Sequence, residues 1–200
     1  TLTNSDVLIV DGIIKKIGTD ISAPKGLEFI DATGLYVMPG IIDAHAHSGN
    51  DVVNEATNPV TADVWVGDAL DQMDVSIYRA LAGGTTTSHA MHGSANVIGG
   101  QCETIKHRFG STNPNDLRMD GAPRTIKFAL GENPMRVHGE GNGIIPRTRM
   151  GVEEVIRRAF SEAQAYQAKW DAYNKDKMKN PRALAPEYNR RLETLADILS

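Results

Sequence analysis

His45 and His47 stand two residues apart at the end of the stretch MPGIIDAHAHSG, Met38–Gly49. Ile41, Ile42, Ala44 and Ala46 are apolar, Pro39-Gly40 stops what precedes them, and Ser48-Gly49-Asn50 closes the run, so the stretch reads as a short buried strand. Successive strand side chains point to opposite faces, so both imidazoles leave one face with Cα atoms about 6–7 Å apart. Neutral imidazole is a common ligand for zinc and similar divalent ions, and this spacing lets both rings reach one ion. Asp43 shares their face one step earlier, where it either orients a ligand histidine or makes a strand-end hydrogen bond. Ala44 and Ala46 point the other way, leaving room for a closely packed helix. The bland alternative is a pair of buried histidines bonded to their neighbours. Position favours chemistry, because parallel α/β sheets and barrels build their sites at the C-terminal ends of strands.

A third metal ligand is expected at Glu132. Alternation from Thr125 puts Ile126, Phe128, Leu130 and Glu132 on one face and Lys127, Ala129 and Gly131 on the other, with Glu132 at the strand's C-terminal end. Its competing role is to cap a helix. His92 and Gln101 are the candidate substrate contacts; Gln101 either hydrogen-bonds an amide substrate or ties down its own loop. His89, inside a strand, reads as a hydrogen-bonded core group. His107 and His138 lack partner spacing and read as ordinary residues, and Trp65 and Trp170 read as packing. Cys102 is the only cysteine, which excludes an intrachain disulfide and a cysteine-based zinc site.

The elements that must position these groups follow from periodicity. DVLIVDGIIKKIG, Asp6–Gly18, reads as two strands joined by the turn dipeptide Asp11-Gly12. Further short strands are expected near Phe29-Ile30 and over Leu35–Met38. After the histidine strand, Asn50–Pro59 reads as a long polar loop, and Asp68–Leu81 has a helical rhythm ended by Gly83-Gly84. Thr85–Met91 reads as the next strand, giving a βαβ unit with parallel strands. Ser94–Gln101 reads as a glycine loop, Glu103–Phe109 as a third strand and Thr125–Leu130 as a firmer one. Val152 to Tyr173 carries an apolar stripe at helical spacing, and Pro186 fits the first turn of a last helix. Three or four strands are too few for a barrel, which needs eight and typically about 250 residues.

PGIIDAHAHSG resembles the first barrel strand of the amidohydrolase superfamily, where this pattern introduces two metal ligands. Ala80–Gln101 (ALAGGTTTSHAMHGSANVIGGQ) and Ile126–Arg136 (IKFALGENPMR) are similar to segments of imidazolonepropionase-like amidohydrolases. The resemblance covers essentially the whole chain and implies an α/β fold: residues 1–38 as part of a small β-sandwich domain, and residues 39–200 as the N-terminal portion of a TIM (β/α)8 barrel of the metal-dependent hydrolase type. It implies a divalent metal, zinc first, held by His45, His47 and a middle-strand group. That group is a glutamate or a carboxylated lysine in the superfamily, which makes Lys127 the competitor of Glu132. Further histidines and an aspartate general base are implied beyond Ser200, so the remainder of the barrel or a second chain is expected to complete the site. The implied activity is hydrolysis of carbon-nitrogen bonds other than peptide bonds, in an amide, cyclic amide or amidine, by metal-activated water. The alternative is a non-catalytic amidohydrolase-like scaffold, or an inactive fragment without the downstream groups.

Composition bounds the partners. The 200 residues carry 40% hydrophobic and 23% charged residues, as a globular chain does, with a formal net charge of -4. No basic stripe marks a nucleic-acid surface, and no apolar run reaches the ~18 residues that span a bilayer. The expected partner is a small-molecule substrate, with homo-oligomerisation open. No secretory signal is visible, which points to the cytoplasm unless an N-terminal signal precedes this stretch.

Overall fold

The computed structural model describes residues 2–200. They form two units, one ending at Pro39 and the other spanning Gly40–Ser200.

In the first unit β1 (Asp6–Val10) and β2 (Ile13–Gly18) pair antiparallel. Asp11 and Gly12 join them with φ of 52° and 72°, the doubly left-handed turn that matches strand twist. The strands expected near Phe29-Ile30 and Leu35–Met38 do not form. A strand needs a ladder partner for its backbone groups. Among the described residues these segments have none, and Phe29 and Tyr36 stand 86% and 90% exposed. Of the expected sandwich the structure shows one hairpin.

The second unit is built on a four-stranded sheet in the order β3 (Ile41–Ala46), β4 (Thr85–Ala90), β5 (Ile98–Lys106), β6 (Thr125–Phe128). Helix α1 (Val75–Ala82) links β3 to β4, which run parallel as the βαβ reading expects. It is shorter than the sequence suggests, because Asp74 caps it by accepting the Ser76 N–H; a separate 3-10 turn covers Val66–Ala69. β5 runs antiparallel to both β4 and β6. The connection Met91–Val97 is too short for the dozen or more residues that a parallel crossover needs, so the chain has to double back.

β5 also contains Gly99 and Gly100, which the sequence suggests are loop. They are strand because the His92 ring lies against them: a Cβ on Gly99 would sit 2.6 Å from His92 Nδ1, and one on Gly100 2.9 Å from His92 Cδ2.

Two apolar clusters flank this sheet. Val60, Ala62, Val97 and Ile98 pack with Val152, Val155, Ala159 and Ala163 of α3 (Arg149–Lys177) and Leu195 of α4 (Arg190–Ile198). Val66, Leu70, Ile77, Ala90, Ile105 and Leu117 form the second. α3 extends the expected apolar stripe at both ends and is capped by Thr148, whose hydroxyl accepts the Gly151 N–H. α4 starts at the Asn189 cap, so Pro186 stays in the connector. Between β6 and α3, the single turn α2 (Glu132–Pro134) runs into π-helical turns over Met135–Gly141.

β3 and β6 are opposite edges of the sheet. Laid flat, they would lie about 14 Å apart. Yet the side chains of His45 and Lys127 touch at 3.2 Å, so the sheet curls and both groups stand on its concave side.

Candidate metal centre

β3 ends at Ala46 and His47 follows at once. Its pairing with β4 is irregular here: Asp43 is level with Ser88 and Ala46 with Ala90, three steps against two. Such a bulge re-aims side chains. Asp43 Oδ1 accepts the His45 backbone N–H at 3.0 Å, the strand-end hydrogen bond rather than a bond to an imidazole. Gly40 enters the strand against Thr86, whose hydroxyl occupies the place a Cβ would need, which is why glycine follows Pro39.

The two rings lie edge to face, 5.5 Å between centroids and 74° between planes. His47 Nδ1 is 2.8 Å from the Met91 carbonyl oxygen. A carbonyl only accepts, so Nδ1 carries the proton and Nε2 keeps its lone pair. His45 Nε2 faces the Lys127 ammonium at 3.2 Å, and an ammonium only donates, so that nitrogen also presents a lone pair. These donors fit a divalent ion. Zinc bonded to two imidazoles at about 2.1 Å in a tetrahedral arrangement would set the ring centres roughly 5.3 Å apart, close to the separation seen.

The third group the structure brings to the pair is Lys127. It is 8% exposed and also lines a cavity of about 420 Å³ with Ser94, Phe128, Glu132 and Asn133. Glu132 shares that cavity but is exposed, opens α2, and makes no side-chain hydrogen bond or ion pair among the described residues. No three His, Cys, Asp or Glu side chains among the described residues gather closely enough to hold an ion. Strand alternation cannot be carried to Glu132, because β6 stops at Phe128.

The remaining candidates are occupied by the protein itself. His92 is 4% exposed; its Nε2 accepts the Glu55 N–H at 2.8 Å, and its Nδ1 donates to the Gly93 carbonyl at 2.9 Å. Burial holds its pKa below the ordinary histidine value, against the opposing pull of the Gly93 carbonyl and Glu55. Gln101 ties segments together: Nε2 donates to the Ala62 carbonyl and the Thr194 hydroxyl, and Oε1 accepts from Arg124. His89 faces two threonine hydroxyls, Thr104 at 3.2 Å and Thr125 at 3.1 Å. Burial, then the neighbouring His45 and Lys127, lower its pKa. His107 joins the Ser88 hydroxyl to the Thr85 carbonyl inside the core.

Sequence reading misses the Met91 carbonyl, because a backbone acceptor leaves no mark in residue types. It leaves Lys127 as an alternative only, since its partner His45 comes from the far edge of the sheet.

A solved structure shares this architecture, and curated proteins share stretches of the sequence. A crystal structure of an amidohydrolase from Thermotoga maritima superposes with a TM-score of 0.85 at 36% identity, over 96% of this chain and 50% of that one. The chain belongs to the amidohydrolase superfamily. Amidohydrolase tasK of Hapsidospora irregularis is 36% identical over 79% of this chain and 18% of its own length. A dihydroorotase of Ruminiclostridium cellulolyticum is 58% identical over 22% of this chain and 10% of its own. A D-phenylhydantoinase of Escherichia coli is 38% identical over 41% of this chain and 15% of its own. This superfamily chain thus spans half the length of the solved relative and less than a fifth of the curated ones. No protein-family model matches it. Among the described residues no helix is long and apolar enough to cross a membrane.

Proposed function

We propose that the protein is a metal-dependent hydrolase that opens carbon-nitrogen bonds in cyclic amides. The observation that carries this reading is the meeting of His45, His47 and Lys127 from opposite sheet edges: the His47 Nε2 lone pair is left open by the Met91 carbonyl, and the His45 Nε2 lone pair faces the buried lysine nitrogen. Two relatives are named for dihydroorotate and a phenylhydantoin, both rings closed through amide nitrogen.

His45 and His47 would hold a divalent ion, zinc first, which when bound supplies Lewis acidity toward water and the scissile carbonyl. The Met91 carbonyl fixes the tautomer of His47 and leaves Nε2 for the ion. An ammonium beside a ligand nitrogen would repel a cation, so Lys127 takes part as its carbamate: the neutral amine nitrogen bonds the carbon of CO₂ and loses a proton. That would turn a positive side chain into a carboxylate able to hold the ion, a role the geometry supports for Lys127 better than for Glu132. The cavity beside it offers Ser94, Glu132 and Asn133 to hydrogen-bond the ring substituents and Phe128 to pack on them.

The test is zinc content and hydrolysis of a panel of five- and six-membered lactams, imides and hydantoins, with His45→Ala and His47→Ala beside the wild type. Loss of bound zinc in both variants is the expected outcome, and unchanged zinc and turnover would end the proposal. A second reading, a scaffold without chemistry, draws on the missing carboxylate or histidine cluster among the described residues. It predicts no turnover of any ring at any zinc concentration.

A further inference from the structure

We infer that His92 is a positioning residue that ties the loop following the histidine pair to the segment holding His47. The inference rests on the metal reading of His47. Three consecutive residues make the connection. Met91 donates its N–H to the Ala46 carbonyl at 2.9 Å and accepts from His47 Nδ1 at 2.8 Å. His92 takes the Glu55 N–H on Nε2, and Gly93 donates its N–H to the Val53 carbonyl. The ligand and the loop therefore hang on one short stretch of backbone.

The tautomer of His92 is dictated on both sides. An amide N–H must donate to Nε2 and a carbonyl must accept from Nδ1, so the ring is neutral with its proton on Nδ1, as in His47. Its position is dictated too, because Gly99 and Gly100 leave a slot that any Cβ would close. Neighbouring bonds finish the staple: Asn54 Oδ1 accepts the Ala95 N–H at 3.0 Å, and Asn96 Nδ2 donates to the Glu55 and Asn58 carbonyls at 2.6 and 3.0 Å. Both ring nitrogens of His92 are taken up by backbone partners. It acts by keeping residues 53–58 and the Met91 carbonyl in register, so that His47 presents Nε2 in a fixed direction.

The test compares the full chain carrying His92→Leu, His92→Gln and Glu55→Pro. Leucine has no acceptor, glutamine places an amide oxygen where Nε2 accepts, and proline deletes the donor from an exposed position without touching the core. Zinc affinity is read by competition with a chromophoric chelator, and loop order by limited proteolysis within residues 51–58. The His92→Leu and Glu55→Pro chains should bind zinc about tenfold or more weakly and be cut faster, whereas His92→Gln should recover most of both. Wild-type zinc affinity and cutting in a folded His92→Leu or Glu55→Pro chain would overturn the inference, as would a His92→Gln chain no better than His92→Leu. If His92→Leu fails to fold, Glu55→Pro and His92→Gln carry the comparison. Failure of the metal proposal would show separately, as zinc binding insensitive to His45→Ala, with the proteolysis still deciding whether His92 holds the loop.

Discussion

Lys127 Nζ lies 3.2 Å from His45 Nε2, although the two residues belong to opposite edges of a four-stranded sheet. The contact is made possible by the curl of the sheet. It also separates the two middle-strand candidates, because Glu132 lines the same cavity without reaching the histidine pair through any bond among the described residues.

Lys127→Ala should therefore weaken zinc binding at least about tenfold, whereas Glu132→Gln should leave it within a small factor and act on substrate KM instead. Chelator competition reads the first effect. Growth in ¹³C-bicarbonate should give a carbamate carbon signal in the wild type that Lys127→Ala lacks. The opposite ranking of the two variants would return Glu132 to the ligand set.

Local rules reach part of this structure. The two-residue spacing of His45 and His47, the Asp11-Gly12 turn, the βαβ order and the stripe on α3 are set by neighbours in sequence, so they are readable from it. Gly99-Gly100 reads as loop because glycine pairs usually are; only the His92 ring lying on them explains a strand there. Phe29 to Met38 has strand-forming residues but no ladder partner among the described residues, and propensity cannot supply one. The choice of Glu132 over Lys127 rests on the same kind of local rule. Alternation is valid only while a strand lasts, and β6 ends before Glu132.

Gly40 is set by Thr86. Gly40→Ala should destabilise the protein by about 1–3 kcal/mol, the cost of forcing a methyl into an occupied place. Adding Thr86→Ala should recover part of it, because the obstructing hydroxyl and methyl are then gone while the Thr86 Cβ, 2.8 Å from the added methyl, stays. Urea unfolding of the two single variants and the double variant checks this, and additive losses would contradict it.

Asp74 joins the start of α1 to the turn after the histidines. Its Oδ1 accepts the Ser76 N–H at 2.8 Å and its Oδ2 accepts the Gly49 N–H at 2.8 Å and the Ser76 hydroxyl at 2.6 Å. Burial alone would raise its pKa, but these hydrogen bonds and Arg79 outweigh it and hold the carboxyl below 3.8. Its stabilisation is thus complete above the unfolded value and lost as pH falls through the lower folded one. Asp74→Ala should cost about 1–2 kcal/mol at pH 7 in urea unfolding. A neutral result would mean that the cap is idle.

His138 gives the fold an acid limit from the other direction. It is fully buried in the π-helical turns, and neither ring nitrogen has a partner among the described residues. Burial lowers its pKa below 6.5, so the folded chain keeps the ring neutral where the unfolded chain would protonate it. With more protons bound on unfolding, stability rises with pH through the window between the folded value and 6.5, and is fully present above it. His89 and His92, lowered in the same direction, add to the slope. In chelator-treated protein, unfolding free energy should therefore fall as the pH is lowered from neutral through that window. His138→Phe, which fills the site with a ring that takes no proton, should flatten part of that fall while leaving the contributions of His89 and His92. An unchanged slope in the folded variant would show that His138 meets a proton acceptor in solution and is already satisfied there.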